Sequence, residues 1–186
     1  MESTKDAIIS AAIRLFSRKG FDQASMQDIA REAGIGKATI YFHFDSKDAL
    51  IQAVYRHCLA LSRAYLNAPL GDATLSGQLE ARFSRMLSYR REHPMESAVE
   101  NLYGSSPVYC HDPDIYSANA YHADILAAFQ AAEARGEIHS DPVILANAYY
   151  GFIMQTYLML RTNPQLDTEA FRSDCLAFIR TLVSGA

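Results

Sequence analysis

Apolar residues recur at three- and four-residue intervals along almost the whole chain, and strict alternation of apolar and polar residues is nearly absent. A side chain returns to the same helix face at that interval, whereas a half-buried strand needs period two, so the pattern predicts an all-α protein. Of the 186 residues, 49% are hydrophobic and 20% charged, which is enough to build packed cores and excludes a globally disordered chain. The length suits one small and one medium domain.

Start and stop signals divide the pattern into helices. Ser3 stands before the stripe Ile9, Ala12, Ile13 and Phe16, with Asp6 at the capping-box position. Arg18 and Lys19 suit the negative end of that helix, and Gly20 supplies a left-handed stop. Ser25 and Asp28 repeat the start signal ahead of Ile29, Ala30 and Ala33, and Gly34 closes the second helix. A short third helix is predicted over about 36–42, and a fourth, capped by Ser46, over 46–67. At 1.5 Å per residue the fourth spans roughly 30 Å, longer than the N-terminal unit needs, so it reads as a connecting rod. After Pro69 and Gly71, helices are predicted near 75–93, 94–103, 115–135, 142–161 and 168–183, about nine in all. Gly104 to Pro113 is the irregular loop of this half.

Residues 25–44, SMQDIAREAGIGKATIYFHF, have the spacing of a helix-turn-helix. Ala30 is small where the two helices cross, and Gly34 leaves the first helix in a conformation costly to a residue with a Cβ. Ile29, Ile35 and Ile40 attach the pair to the first helix, which leaves Lys37, Ala38, Thr39, Tyr41 and His43 pointing outward. Phe42 and Phe44 are assigned to the core. The second helix of such a unit enters the major groove of DNA.

Phe16, Gly20-Phe21, Ser25, Asp28-Ile29-Ala30, Ala33-Gly34-Ile35, Thr39-Ile40-Tyr41, Phe44, Lys47 and Leu50 stand at the spacings of one known family. Across residues 5–62 the chain resembles the TetR family of transcriptional regulators. The resemblance implies a three-helix DNA-binding domain over 1–62 and a helical ligand-binding and dimerisation domain over 63–186. Ser25 and Gln27 match positions that contact phosphates or occasionally a base. Gly36, Lys37, Ala38 and Thr39 match the groove-entering positions, with Lys37 the expected base reader, at guanine. Tyr41 and His43 match positions that bond the sugar-phosphate backbone, and Lys47 matches a phosphate clamp. Gly36 departs from the family's usual Ser or Thr, so one hydroxyl contact is missing. Outside such a motif the two lysines would pass as solvated, Tyr41 as packing and His43 as a half-buried ring.

Charge agrees in distribution more than in sum. The net charge is −4, but residues 1–60 hold 8 Lys/Arg against 7 Asp/Glu while the rest hold 9 against 14. Contact with a polyanion is therefore expected to be local and N-terminal. Met1 to Asp6 is polar and does not read as a signal peptide. Val143 to Leu160, the most apolar stretch, carries Asn147, Gln155, Thr156 and three tyrosines, which favours a buried helix over a membrane span. Three cysteines without close pairing suit a reducing cytoplasm.

In the C-terminal half the helix over 142–161 is apolar nearly all round, and that over 168–183 has one stripe of Phe171, Cys175, Phe178, Ile179 and Leu182. A helix apolar on all faces needs partners on all faces, so a second copy is expected to supply some. The resemblance implies a homodimer through these two helices. Tyr, Met and His are dense here, and Met86, Tyr89, Tyr103, Tyr109, His111, Tyr121, His122, Tyr150 and Met154 are the candidate lining of an effector pocket, against the plain reading that most are core. Cys110-His111-Asp112 lacks a metal-site spacing, and no metal or cofactor is expected; Cys110 is a candidate redox sensor. No phosphate loop, metal pair or nucleophile elbow points to an enzyme. The expected function is a ligand-responsive repressor that binds a pseudo-palindromic DNA operator as a cytoplasmic homodimer and is released by a small, largely apolar effector. A regulator without a small ligand, one governed by a protein partner, and an activator remain open.

Overall fold

Ser3 opens the first helix: its hydroxyl oxygen accepts the Asp6 N–H at 3.1 Å, and the Asp6 carboxylate accepts the Ser3 N–H at 3.3 Å. Two of the amide donors orphaned at a helix start are thereby satisfied. A computed structural model of the chain describes residues 3–66, 74–109 and 119–185, with backbone only at 119–121. Among these residues there are nine α-helices, one 3-10 turn and no strand. The all-α expectation holds.

Helix α1 runs Thr4–Gln23, α2 Met26–Glu32, α3 Lys37–His43 and α4 Lys47–Leu66. Gly20, at φ 76°, kinks α1 where the sequence predicts a stop. The last turn then carries Phe21 onto Phe16, edge to face at 5.1 Å. Gly34 leaves α2 at φ 69°, in the left-handed region. Helices α5 (Leu75–Glu92), α6 (Pro94–Gly104), α7 (Asn119–Ala134), α8 (Pro142–Thr162) and α9 (Glu169–Ser184) follow, with the 3-10 turn at Pro164–Leu166. The start expected near 115, like the break at Pro69 and Gly71, lies outside the described residues.

The described chain divides into two compact units. The first comprises residues 3–65 and 89–109. Its core joins Ile8, Phe16, Ile29, Ile40, Leu50 and Val54 to Val99 and Tyr103 of α6, all fully buried. The expected boundary at 62/63 therefore falls within α4, inside a unit that also includes α6. The cause is the length of α4, which carries Val54, Tyr55 and Cys58 past the three-helix head. Those residues are covered by α6, and Tyr55 stacks on Tyr103 at 3.9 Å.

The second unit comprises residue 66, residues 74–88 and residues 119–185. Leu75, Leu79 and Phe83 of α5, Ile125 and Phe129 of α7, Ala146, Tyr149, Ile153 and Leu160 of α8, and Cys175 and Ile179 of α9 form its core. Tyr149 is fully buried, and its hydroxyl donates to the Leu79 carbonyl at 2.5 Å. Such a bond offsets the cost of taking a hydroxyl out of water. Arg180 grips Glu80 through two nitrogens, at 3.0 and 2.7 Å. Asp141 caps α8 by accepting the Val143 and Ile144 amides, with Pro142 in the first turn.

Helix α8 is long and apolar enough to cross a membrane by length and composition, yet it buries Leu145, Ala146, Tyr149, Ile153 and Leu160 in this unit. Its opposite face carries Ile144, Ala148, Gly151, Gln155 and Leu158, all exposed. Phe178 of α9 is 47% exposed although it belongs to the apolar stripe of that helix.

Candidate nucleic-acid interface

The geometry of α2 and α3 follows from their ends. Ser25 and Asp28 form a reciprocal capping box, with the Asp28 N–H donating to the Ser25 hydroxyl oxygen at 3.1 Å and the hydroxyl donating to the carboxylate at 2.7 Å. The Ser25 hydroxyl bond and then its backbone amide hold the Asp28 carboxyl below the ordinary range. Asp28 also pairs with Arg31. The single hydroxyl proton of Ser25 is therefore committed to Asp28, and a phosphate would have to compete for it. Gln27, the second residue of α2, is exposed. Gly36 caps α3 through its extended backbone, φ −73° and ψ 154°, with no side-chain bond. That is the consequence expected of a glycine at this position.

Helix α3 has one buried side chain, Ile40, fully enclosed against α1 and α2. Everything else on it is directed away from or beside that anchor. Lys37, Ala38 and Tyr41 are exposed, and Thr39 and His43 are half-buried. No hydrogen bond to protein holds Lys37 or Tyr41 among the described residues. No acidic residue stands in the first turn of α3. Lys47 opens α4 half-buried and donates to the Asp22 carbonyl at 3.3 Å, which fixes its stem and leaves two ammonium protons available. Lys5 lies over the Phe44 ring at 5.8 Å from its centre.

Three arginines of the head face acids within it. Arg14 bonds Glu32 at 2.9 Å and Arg18 lies 3.7 Å from the same carboxylate. The Arg14 bond holds Glu32 well ionised.

Phe42 departs from the sequence reading. The sequence places it in the core, yet it is 83% exposed, whereas Phe44, two residues on, is 5% exposed. Ile40 and Phe44 lie four residues apart on one helix face, and a residue midway between them must face the other way. The phase of the helix carried that signal, and the aromatic run Tyr41 to Phe44 masked it.

The candidate pocket residues distribute between the two units. In the first, Tyr103 and Tyr109 stack at 4.7 Å and both meet Phe21 edge to face. The Tyr109 hydroxyl donates to Asp48 at 2.6 Å. Tyr89 packs on Tyr65 and His93 and donates to Glu100 at 3.0 Å. In the second unit Met86 is buried, Tyr150 and Met154 are half-buried, and His122 bonds Asn147 at 3.1 Å and meets the Tyr150 ring edge-on at 5.2 Å. Cys110, His111 and the Tyr121 side chain lie outside the described residues. Burial pushes the Cys58 thiol far above its ordinary range, which removes its reactivity. Among the described residues no three of His, Cys, Asp and Glu converge as metal ligands.

Residues 8–54 match the family model described as bacterial regulatory proteins, tetR family. The biofilm operon icaADBC HTH-type negative transcriptional regulator IcaR of Staphylococcus aureus (strain Newman) is 46% identical over 54 residues, 29% of either chain. The chain spans less than a third of the length of the curated relatives it matches. Similarity of fold extends much further. A Rhodococcus sp. protein assigned to the TetR-family transcriptional regulators is 25% identical, with 99% of this chain and 100% of that one covered and a TM-score of 0.77. AibR, solved in complex with isovaleryl coenzyme A and operator DNA, is 21% identical over 98% of this chain and 99% of that one, with a TM-score of 0.73. The head at residues 8–54 is thus similar to the DNA-binding region of the bacterial tetR regulatory proteins, and the fold along the whole chain is shared with solved proteins such as that from Rhodococcus sp..

Proposed function

We propose that this protein is a ligand-responsive transcriptional regulator that acts as a repressor. A homodimer binds a pseudo-palindromic DNA operator in the cytoplasm, and a small, largely apolar effector releases it. The observation that carries the reading is the presentation of α3: one buried anchor, Ile40, and an outward face of Lys37, Ala38 and Tyr41, with no hydrogen bond to the Lys37 ammonium or the Tyr41 hydroxyl among the described residues. A seven-residue helix held this way fits the major groove. Lys37, in its first turn, reaches base edges and favours the O6 and N7 acceptors of guanine. Tyr41, His43 and Lys47 bond the sugar-phosphate backbone beside it, and Gln27 contacts phosphate from the start of α2. Ser25 contributes to the same contact only by exchanging its bond to Asp28.

One short helix binds weakly by itself, and two heads about 34–36 Å apart match one turn of duplex. The exposed stripe Ile144, Ala148, Gly151 and Leu158 on α8, with Phe178 on α9, supports pairing of two copies through about 142–161 and 168–183. The effector acts within 63–186 and shifts α4, so that the heads no longer match successive grooves. Within the first unit, α6 is joined to the head by the Tyr55–Tyr103–Tyr109 stack and by the bond from Tyr109 to Asp48, at the start of α4. Displacement of that stack acts directly on the helix that follows α3. A coupling of about 1–3 kcal/mol changes operator occupancy about 5- to 150-fold. AibR, solved with isovaleryl coenzyme A and operator DNA, supports a regulator that takes both a small effector and DNA, and IcaR, a negative regulator, supports repression.

The test is binding of the full chain to a duplex selected from random sequence. Lys37→Ala and Tyr41→Ala replace exposed side chains, so both variants should melt like the parent and bind the selected duplex at least about fivefold more weakly. Folded variants that bind as tightly as the parent contradict the assignment.

A further inference from the structure

Phe42 is the most exposed large apolar side chain among the described residues, at 83%, ahead of Val108 at 73% and Ile144 at 68%. Its position on α3 is not incidental. Successive helix residues turn by about 100°, so with Ile40 pointing into the core, Ala38 and Phe42 both lie within about 20° of the opposite direction. Lys37 and Tyr41 fall on one flank of that line, Thr39 and His43 on the other. The part of α3 furthest from the protein is therefore a methyl group and a phenyl ring four residues apart, with polar and basic groups at the edges. The His43 ring stands edge-on to Phe42 at 5.3 Å, which limits where the phenyl can swing.

On these observations we infer that Phe42 is a specificity-determining residue, its ring seated against the C5-methyl group of a thymine in each operator half-site. This rests on the reading of α3 as the groove-entering helix and adds which base feature its outermost side chain reads. Phenyl carries no donor or acceptor, so the hydrogen-bonding edges of the bases are useless to it. The thymine methyl is the one apolar group the major groove offers. The surrounding chemistry selects DNA over a protein partner as the occupant. Tyr41 and His43 flank Phe42 in sequence, Lys37 stands in the first turn of the same helix, Lys47 opens the next one, and that first turn has no acid. An apolar protein patch would leave those cations and hydroxyls unpartnered, whereas a duplex offers them phosphates and base-edge acceptors while the ring reaches the groove floor.

Deletion of the methyl isolates the contact. The selected duplex is prepared with each thymine replaced singly by deoxyuridine, which preserves base pairing, and binding by parent and Phe42→Ala is compared; Phe42 is exposed, and the melting temperature verifies that the variant folds. One thymine per half-site should respond: loss of its methyl weakens the parent about fourfold, and about 15-fold when both half-sites are changed. Phe42→Ala should bind the thymine and deoxyuridine duplexes equally at that position. The inference is overturned if no thymine is methyl-sensitive, or if the sensitivity survives in Phe42→Ala. If in the same experiment Lys37→Ala still weakens binding, the groove-entering reading of α3 stands and only the role of Phe42 falls. A chain that selects no duplex at all overturns both.

Discussion

Glu100 offers a quantitative test of how the first unit is held together. It lies on α6, where the Tyr89 hydroxyl donates to its carboxylate at 3.0 Å and Ser62 of α4 supplies a second hydroxyl. Among the described residues no cation approaches it, and Glu96 adds a like charge. Burial, the largest influence, therefore outweighs the hydroxyl bonds and pushes its pKa from 4.5 up to about 7. A carboxyl raised in the folded state binds protons more tightly there than in the unfolded chain. Its contribution to stability is thus complete below pH 4.5, declines as the pH rises towards about 7, and stays lost above it. At 1.36 kcal/mol per pKa unit the whole effect is at most about 3 kcal/mol, reduced by whatever solvent reaches the carboxyl. Glu100→Gln keeps the shape and removes the titration. Urea denaturation followed by circular dichroism should give parent and variant similar stability at pH 5. By pH 8.5 the variant should be the more stable by about 2 kcal/mol. All other titrating groups are common to both proteins, so the difference belongs to Glu100. Parallel pH profiles would refute the reasoning.

Other expectations follow from the turn, the dimer face and the charge of α3. Gly34→Ala forces a Cβ into the left-handed region at φ 69°, with nothing within 4 Å to clash, so a loss of about 1–2 kcal/mol in the thermal melt should come from backbone strain alone. Ile144→Glu places a charge on the exposed stripe of α8, where Ile144 is 68% accessible. Sedimentation should find it folded and monomeric, with operator binding weakened at least about tenfold; a dimeric variant would move the interface elsewhere. Operator affinity of the parent should fall linearly on a logarithmic salt scale, and Lys47→Ala should lower that slope by about one unit.

The parts of the fold written in local chemistry were readable before any coordinates. Ser3 with Asp6 and Ser25 with Asp28 cap helices because a hydroxyl and a carboxylate three residues apart satisfy orphan amides wherever they occur. Gly34 ends α2 for an equally local reason. The packing of α6 against the head was not readable, because Val99 and Tyr103 look like any apolar stripe and only the tertiary path determines which core they enter. Aromatic density in the C-terminal half was ambiguous in the same way. Tyr103 and Tyr149 are fully buried packing residues, and nothing in their sequence context separates them from half-buried Tyr150. Phe42 was legible and misread, since two residues from Ile40 means the opposite face whatever the side chain.

The most direct measurement is selection of duplexes by the intact protein from a random library, followed by footprinting on the winner. Two like half-sites in inverted orientation are predicted, with protected major grooves centred about one helical turn apart and protection lost together in Lys37→Ala. Enrichment of nothing, or a single unsymmetrical site unaffected by that substitution, would contradict the account.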